Sequence, residues 1–443
     1  MTPNAMSSTD ALRAANLAFA ARYPGEAGSR QPVHTVYGGA QIFGPDSARK
    51  LGDVAQRAMR DYAPDAATLG RALGIADHPA LATIYSRVTE KLAREPVEDF
   101  RIDFEDGYGN RPDAEEDGHC VAVAEALAVG MKQGTLPPFI GMRIKPLNEE
   151  LRGRATRTLE LVLTELVKRA GAIPENFVVT VPKIVILEQV EFVVRELARL
   201  ETVLGLESGL LKFEIMVEMP QIVLDSDGRS LLPRIPALCD GRLTGAHFGT
   251  YDYTAGVNIT AAHQRMRHPA CDFAKHIMQV SLAGTGVWLS DGSTTVMPVP
   301  LHRAAAGGTL SAEQLDANCA SVHGAWKLHF DDIQHSLVGG FYQGWDLHPA
   351  QLVTRYAALY AFFLDGIEAA SARLSNFVGK AAQATLVGDV FDDAATGQGL
   401  LNFFLRGVNS GAISEGDAVS MTGLSVDELR GRSFVKIMKN RSA

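Results

Sequence analysis

The stretch LKFEIMVEMPQIVL, residues 211–224, reads as a buried strand that stops at a carboxylate and a proline. Side chains alternate along a strand, so Phe213, Ile215 and Val217 share one face and Glu214, Met216 and Glu218 the other. A charge at the edge of a core costs desolvation energy unless a cation or hydrogen bonds compensate it. Glu218 therefore needs a physical reason.

Seven further β runs surround this one: PVHTVYGG (32–39), DFRIDFED (99–106), PFIGMRI (138–144), NFVVTVPK (176–183), RLTGAHFG (242–249), GTGVWLS (284–290) and GFYQGWDLHP (340–349). Helix-period stretches lie between them, such as RGRATRTLELVLTELVKRAG and LEQVEFVVRELARLETVLG. Eight β units in alternation with helices predict a parallel sheet closed into a (β/α)8 TIM barrel. An open doubly wound sheet is the alternative, but no Gly-rich dinucleotide loop follows the first strand. The spacing predicts an N-terminal helical arm over residues 1–31, the barrel over 32–384 and a small helical C-terminal module over 385–443.

Composition narrows the function classes. The 443 residues carry a net charge of −9, against the basic face that a general nucleic-acid binder needs. Cys120, Cys239, Cys271 and Cys319 form no C-x-x-C pair, which suits reduced thiols in a cytoplasmic protein. The first residues lack a basic leader with a long apolar run, and no window approaches the roughly 18 apolar residues of a membrane span. The arm and tail offer exchangeable surfaces, so a homo-oligomer is expected.

The strand ends carry the charges. In DFRIDFED, Arg101, Asp103 and Glu105 oppose the apolar set; in FIGMRIK, Gly141, Arg143 and Lys145 do. If the apolar faces pack on the outer helices, these residues point into the barrel, and active sites of this fold sit at the C-terminal ends of its strands. The candidates are Glu105, Asp106, Arg143, Lys183, Glu218 and Asp252. Glu218 and Asp252 lie 34 residues apart, one βα unit, so neighbouring strands about 4.8 Å apart bring both acids to one hard cation. Two carboxylates plus water and substrate oxygens suit Mg²⁺, with Mn²⁺ as the alternative. The bland reading is a set of interior salt bridges, Glu105 with Arg143 or Glu218 with Lys183. Clustering at one rim favours a site.

The order and spacing of DFEDG (103–107), RIK (143–145), PK (182–183), EMP (218–220), FGTYD (248–252) and GWDLHPAQL (344–352) resemble the HpcH/HpaI aldolase and citrate lyase β-subunit family. That family lies within the phosphoenolpyruvate/pyruvate-utilising barrel superfamily, and the resemblance covers roughly residues 32–370. It implies a (β/α)8 barrel assembled into trimers or hexamers, with Mg²⁺ on Glu218 and Asp252. It places Arg143 at the substrate carbonyl and Glu105 and Asp106 near the metal's waters. Gly249 and Thr250 of FGTYD, with His34 and Tyr37 of the first strand, are the expected substrate contacts. The chain departs from the family at HTVYGGAQIF, where members acting on CoA thioesters open with an Arg-Ser pair, and at Met219, where Thr is common. The insert at 291–314 is unfamiliar; it is expected to lie over the barrel mouth, with His302 and Arg303 either touching ligand or, the favoured reading, merely at the surface.

The activity so implied is a Mg²⁺-dependent carbon–carbon lyase that stabilises the enolate of a 2-oxo acid or acyl thioester. The proton acceptor would be a water oriented by Glu105 or Asp106, or a residue such as His34. Lys183 offers a rival Schiff-base scheme, though a carboxylate-rich site suits electrostatic positioning better. A phosphoenolpyruvate-utilising phosphotransferase would keep the metal pair but needs a nucleotide loop or phosphohistidine domain, and no G-x-x-x-x-G-K-[ST] run is present. A non-catalytic ligand-binding barrel is the third class.

Overall fold

The computed structural model describes residues 8–25, 29–305, 307–379, 385–387, 390–392, 394–431 and 434–441. Strands β1 (His34–Gly39), β2 (Asp99–Asp103), β3 (Phe139–Arg143), β4 (Phe177–Val181), β5 (Lys212–Val217), β6 (Leu243–Phe248), β7 (Trp288–Ser293) and β8 (Gln343–Asp346) pair in parallel, in chain order, and close. This is the expected (β/α)8 TIM barrel.

Helix α1 (Ser8–Arg22) precedes the barrel; α2 (Ser47–Tyr62), α3 (Ala66–Leu73) and α4 (Leu81–Arg94) fill the first connection. The next three carry α5 (Asp113–Gln133), α6 (Arg152–Ala170) and α7 (Leu187–Leu204). Short α8 (Pro220–Val223) and α9 (Ile235–Leu238) follow β5, and α10 (Thr250–Gly256) and α11 (Pro269–Leu282) follow β6. Helix α12 (Ala312–Val338) joins β7 to β8, after which come α13 (Gln351–Leu364) and α14 (Ile367–Gly379).

Between the strands and this helical ring lies the main core. Phe213, Ile215 and Val217 of β5 are fully buried in it, with Phe100 and Ile102 of β2 and Ile140 and Met142 of β3. The period-two reading of these strands therefore holds, and their other face lines the interior. Lys145 is an exception: it follows β3 and turns to α5, where its ammonium donates to Glu116 at 2.7 Å.

Two strand bounds differ from expectation. GTGV (284–287) is a turn out of α11, with Gly284 and Gly286 at φ 73° and 82°, and β7 runs on through Asp291, Gly292 and Ser293. Asp291 resembles a loop residue in sequence but is buried, accepting from Lys275 at 3.0 Å and Ser336 at 2.6 Å. The rest of the insert lies along α12, where the backbone of His302 exchanges hydrogen bonds with the Asn318 amide at 2.7 and 3.0 Å.

The C-terminal region contains a feature that its helical reading lacked. An antiparallel pair, β9 (Thr385–Val387) and β10 (Val390–Asp392), precedes α15 (Ala394–Asn409), α16 (Glu415–Thr422), α17 (Val426–Arg430) and α18 (Phe434–Arg441). Phe434 stacks on Phe377 of α14 at 4.9 Å, and Arg406 of α15 lies over Tyr342, just before β8. The module thus contacts the N-terminal end of the barrel. Helix α1 buries none of its residues; beyond it, Gly25 N–H donates to Gly284 O at 2.8 Å.

Candidate active site

At the C-terminal ends of the strands is a cavity of about 380 Å³, lined by Tyr37, Asp103, Asp106, Arg143, Glu218, Gly249, Thr250 and Asp252 among others. Register explains the convergence. Asp103 of β2 is the strand partner of Arg143 on β3, and Val217 of β5 that of Phe248 on β6, so Glu218 and Gly249 leave the sheet side by side. A Cβ at position 249 would come 2.5 Å from Glu218 Oε2, so this position has room only for glycine.

Glu218 is 2% exposed, and its Oε1 accepts the backbone N–H of Lys183 at 2.8 Å. Burial, then the nearby negative charge of Asp252, pushes its carboxyl up to about 8. Positive charge is short at this point. Lys183 is the nearest source, but its ammonium is engaged elsewhere: it pairs with Glu105, lies 3.3 Å from Asp106 Oδ2 and 3.4 Å from Asp252 Oδ2. Burial acts to lower the lysine's pKa, yet Glu105 and the other acids outweigh it and hold it well above the usual range. The Lys183 backbone is left-handed, at φ 51°, a conformation costing a non-glycine residue about 1–3 kcal/mol.

Arg143 is fixed from several sides. Its Nε and Nη2 donate to the two oxygens of Asp103 at 2.7 and 2.5 Å, and Nη1 lies 3.0 Å from Glu105 Oε2. The guanidinium also lies 4.8 Å from the Tyr37 ring centroid and 5.8 Å from that of Trp345. Asp103 in turn accepts the N–H groups of Glu105 and Gly107. Burial raises the Glu105 carboxyl despite Arg143 and Lys183 beside it.

Two hydroxyls stand out. Tyr37 Oη and Thr250 Oγ1 are buried, belong to cavity-lining residues, and have no hydrogen-bond partner among the described residues. Burying a hydroxyl without a partner is costly.

The structure thus brings together Glu105, Asp106, Arg143, Lys183, Glu218, Asp252, Tyr37, Gly249 and Thr250. It does not bring His34. His34 starts β1, at the strand end opposite the mouth, and is fully buried; Nε2 accepts from Glu98 N–H at 3.0 Å and Nδ1 faces Asp346 at 3.2 Å. Three residues from Tyr37 on one strand, it points to the opposite face, so neither the substrate contact nor the base expected of it fits. His302 and Arg303 are also absent from the cavity lining. Sequence reasoning did not select Asp103, Tyr251, Gly292, Ser293 and Trp345 as site residues, although all line the cavity. The inward face assigned to Asp103 and the GWD motif containing Trp345 were the available signals.

Among the described residues, no group of three or more His, Cys, Asp and Glu side chains is arranged to hold a metal ion. Mg²⁺ commonly takes only one or two protein carboxylates and keeps several waters. By donor chemistry Glu218 and Asp252 suit such an ion: both are hard oxygen donors lining one cavity, and at the buried one burial and the neighbouring acids outweigh Lys183 and Arg143.

The fold is that of a (β/α)8 barrel. A citrate lyase from Burkholderia xenovorans LB400 superimposes with a TM-score of 0.57 at 17% identity, over 90% of this chain and 97% of that one, a likeness of fold. A malate synthase from Haloferax volcanii gives 0.49 at 13% identity, over 92% and 98%. A HpcH/HpaI aldolase/citrate lyase family protein from Burkholderia cenocepacia J2315 gives 0.39 at 11% identity, over 81% and 98%. No curated protein matches in sequence. A family described as "Domain of unknown function (DUF6986)" matches residues 12–437, and the chain belongs to that family.

Proposed function

We propose that this protein is a divalent-metal-dependent carbon–carbon lyase, cleaving or forming a bond next to the carbonyl of a 2-oxo acid. One observation carries the reading: Glu218 and Asp252, from adjacent walls of the barrel, line the same cavity as the firmly held cation Arg143. Mg²⁺ or Mn²⁺ held by those two carboxylates would supply Lewis-acid stabilisation of developing negative charge.

The chain's own groups account for the other requirements. Cleavage of a 4-hydroxy-2-oxo acid moves the hydroxyl proton to a base and the bond electrons toward the 2-oxo group, giving an aldehyde and an enolate. Asp106, 66% exposed on its side chain at the mouth, is the freer of the two acids after β2 and accepts that proton directly or through water. Glu105 is engaged by Arg143 and orients it. Arg143 keeps its charge at any working pH and donates to the enolate oxygen. Tyr37 Oη and Thr250 Oγ1 bond substrate oxygens, and the Asp106 proton returns to the enolate carbon. Lys183 is held protonated by its acids, which disfavours a Schiff base. Pyruvate remains the simplest probe, an acyl thioester the alternative donor.

Exchange of the pyruvate methyl protons in deuterium oxide, followed by NMR, tests the reading without knowledge of the second substrate. Exchange that needs Mg²⁺ or Mn²⁺ and stops with a chelator is expected. Undiminished exchange after chelation would refute the metal scheme, and borohydride trapping on Lys183 would then support the Schiff-base route.

A further inference from the structure

We propose that Lys183 is a resident cation that holds the metal's place: its ammonium occupies the carboxylate cluster of the metal-free enzyme, and a divalent ion at Glu218 and Asp252 drives it out toward the cavity. The inference rests on the metal-dependent reading above.

Its first support is geometric. One ammonium faces acids from beyond two different strands, Glu105 and Asp106 after β2 and Asp252 of α10 after β6, while the lysine's own backbone N–H is bound to Glu218. Lys183 thus touches both proposed metal ligands, one with each end of the residue. A second cation on Asp252 would face an ammonium 3.4 Å from that carboxylate, and like charges so close repel strongly at the effective dielectric of a protein surface.

The second support is the way Lys183 is anchored. Its left-handed backbone and N–H bond to Glu218 fix the main chain, whereas the side chain is 25% exposed on a flexible four-carbon stem. The head can therefore leave while the backbone continues to hold Glu218. Departure would leave Glu105 only its ion pair with Arg143, whose Nη1 lies 3.0 Å from Oε2, while Asp106 and Asp252 are 66% and 39% exposed on their side chains and turn to water or metal. The released ammonium then faces the cavity, free to meet the carboxylate of a 2-oxo acid. The device keeps several acids together before metal arrives, at some cost in metal affinity.

The test uses the full-length protein, stripped of metal, with Mn²⁺ as probe. Calorimetry measures Mn²⁺ binding, and peptide mass spectrometry measures the rate at which a succinimidyl acetate labels Lys183, with exposed Lys168 as reference. Mn²⁺ is expected to speed labelling of Lys183 several-fold and leave Lys168 unchanged. The Lys183→Gln variant is expected to bind Mn²⁺ about tenfold tighter, and Lys183→Arg not to. Mn²⁺ binding with unchanged or slower labelling of Lys183 would overturn the inference and leave the metal reading intact. Weaker Mn²⁺ binding by Lys183→Gln would likewise overturn it. Absence of Mn²⁺ binding by the unmodified enzyme would remove the metal reading, and this inference with it.

Discussion

The floor and the mouth of the barrel interior are built from the same strands, with one glutamate on β5 at the floor and another just past its end at the mouth. At the floor, Glu214 accepts from Arg101 at 2.8 and 3.0 Å, from Thr180 at 2.5 Å, and faces His247 Nε2 at 2.8 Å. Arg101 also pairs with Asp99. Burial acts to raise the Glu214 carboxyl, but Arg101 and His247 outweigh it and hold it well below the usual range. Four residues on, past the end of the strand, Glu218 meets burial and another acid, and its carboxyl rises to about 8. The two have equal chemistry and nearly equal burial, and differ in whether their surroundings complete the charge. A completed buried charge is part of the scaffold, whereas an incomplete one beside a cavity marks where a ligand belongs.

The sharpest way to break this contrast is to neutralise each acid in turn. Glu218→Gln is expected to reduce metal-dependent pyruvate exchange by about a thousandfold or more, with a melting temperature equal to or above that of the parent. Loss of folding on that change would place Glu218 with Glu214. Conversely, Glu214→Gln removes the carboxylate charge that faces Arg101 and His247 and should cost about 3–5 kcal/mol in chemical denaturation.

Stability against pH separates the pair further. A carboxyl raised above its ordinary value near 4.5 contributes stability that is full below 4.5 and lost as pH rises through about 8. The metal-free protein should therefore lose stability over that window relative to Glu218→Gln. Glu214 has the opposite sign: its contribution is present above the ordinary carboxylate value and lost as pH falls through its depressed one, so Glu214→Gln and the parent should converge in acid. Urea melts across pH, with the variants in parallel, check both signs.

The smallest expected effect concerns the orphan hydroxyl. Tyr37→Phe removes a buried oxygen with no partner, so stability should change by no more than about 1 kcal/mol while KM for the 2-oxo acid rises severalfold. An unchanged KM would assign Tyr37 only to stacking on Arg143.

Much of this was legible in the sequence for a simple reason: period-two alternation survives in strands buried on both faces as long as one face is charged. That is why KFEIMVE and DFRIDFED could be oriented. The spacing of Glu218 and Asp252 located two adjacent walls because one βα unit separates neighbouring barrel strands. His34 went astray because the alternation that oriented the other strands was not applied to the first, where it puts His34 and Tyr37 on opposite faces. Asp291 and Ser293 were assigned to a loop because the partners that make them strand residues, Lys275 and the neighbouring β8, are remote in sequence. The floor of the barrel went unread for the same reason: nothing local tells that Arg101 reaches Glu214, 113 positions away.

The left-handed turn at Lys183 has an evolutionary consequence. Glycine would relax that backbone and asparagine would tolerate it, yet either would discard the ammonium; arginine would keep charge but lose compactness. Two demands of unlike origin meet at a single codon, one on torsion and one on charge. Drift there should be slow, and a relative found with glycine at this position should have changed its acids too.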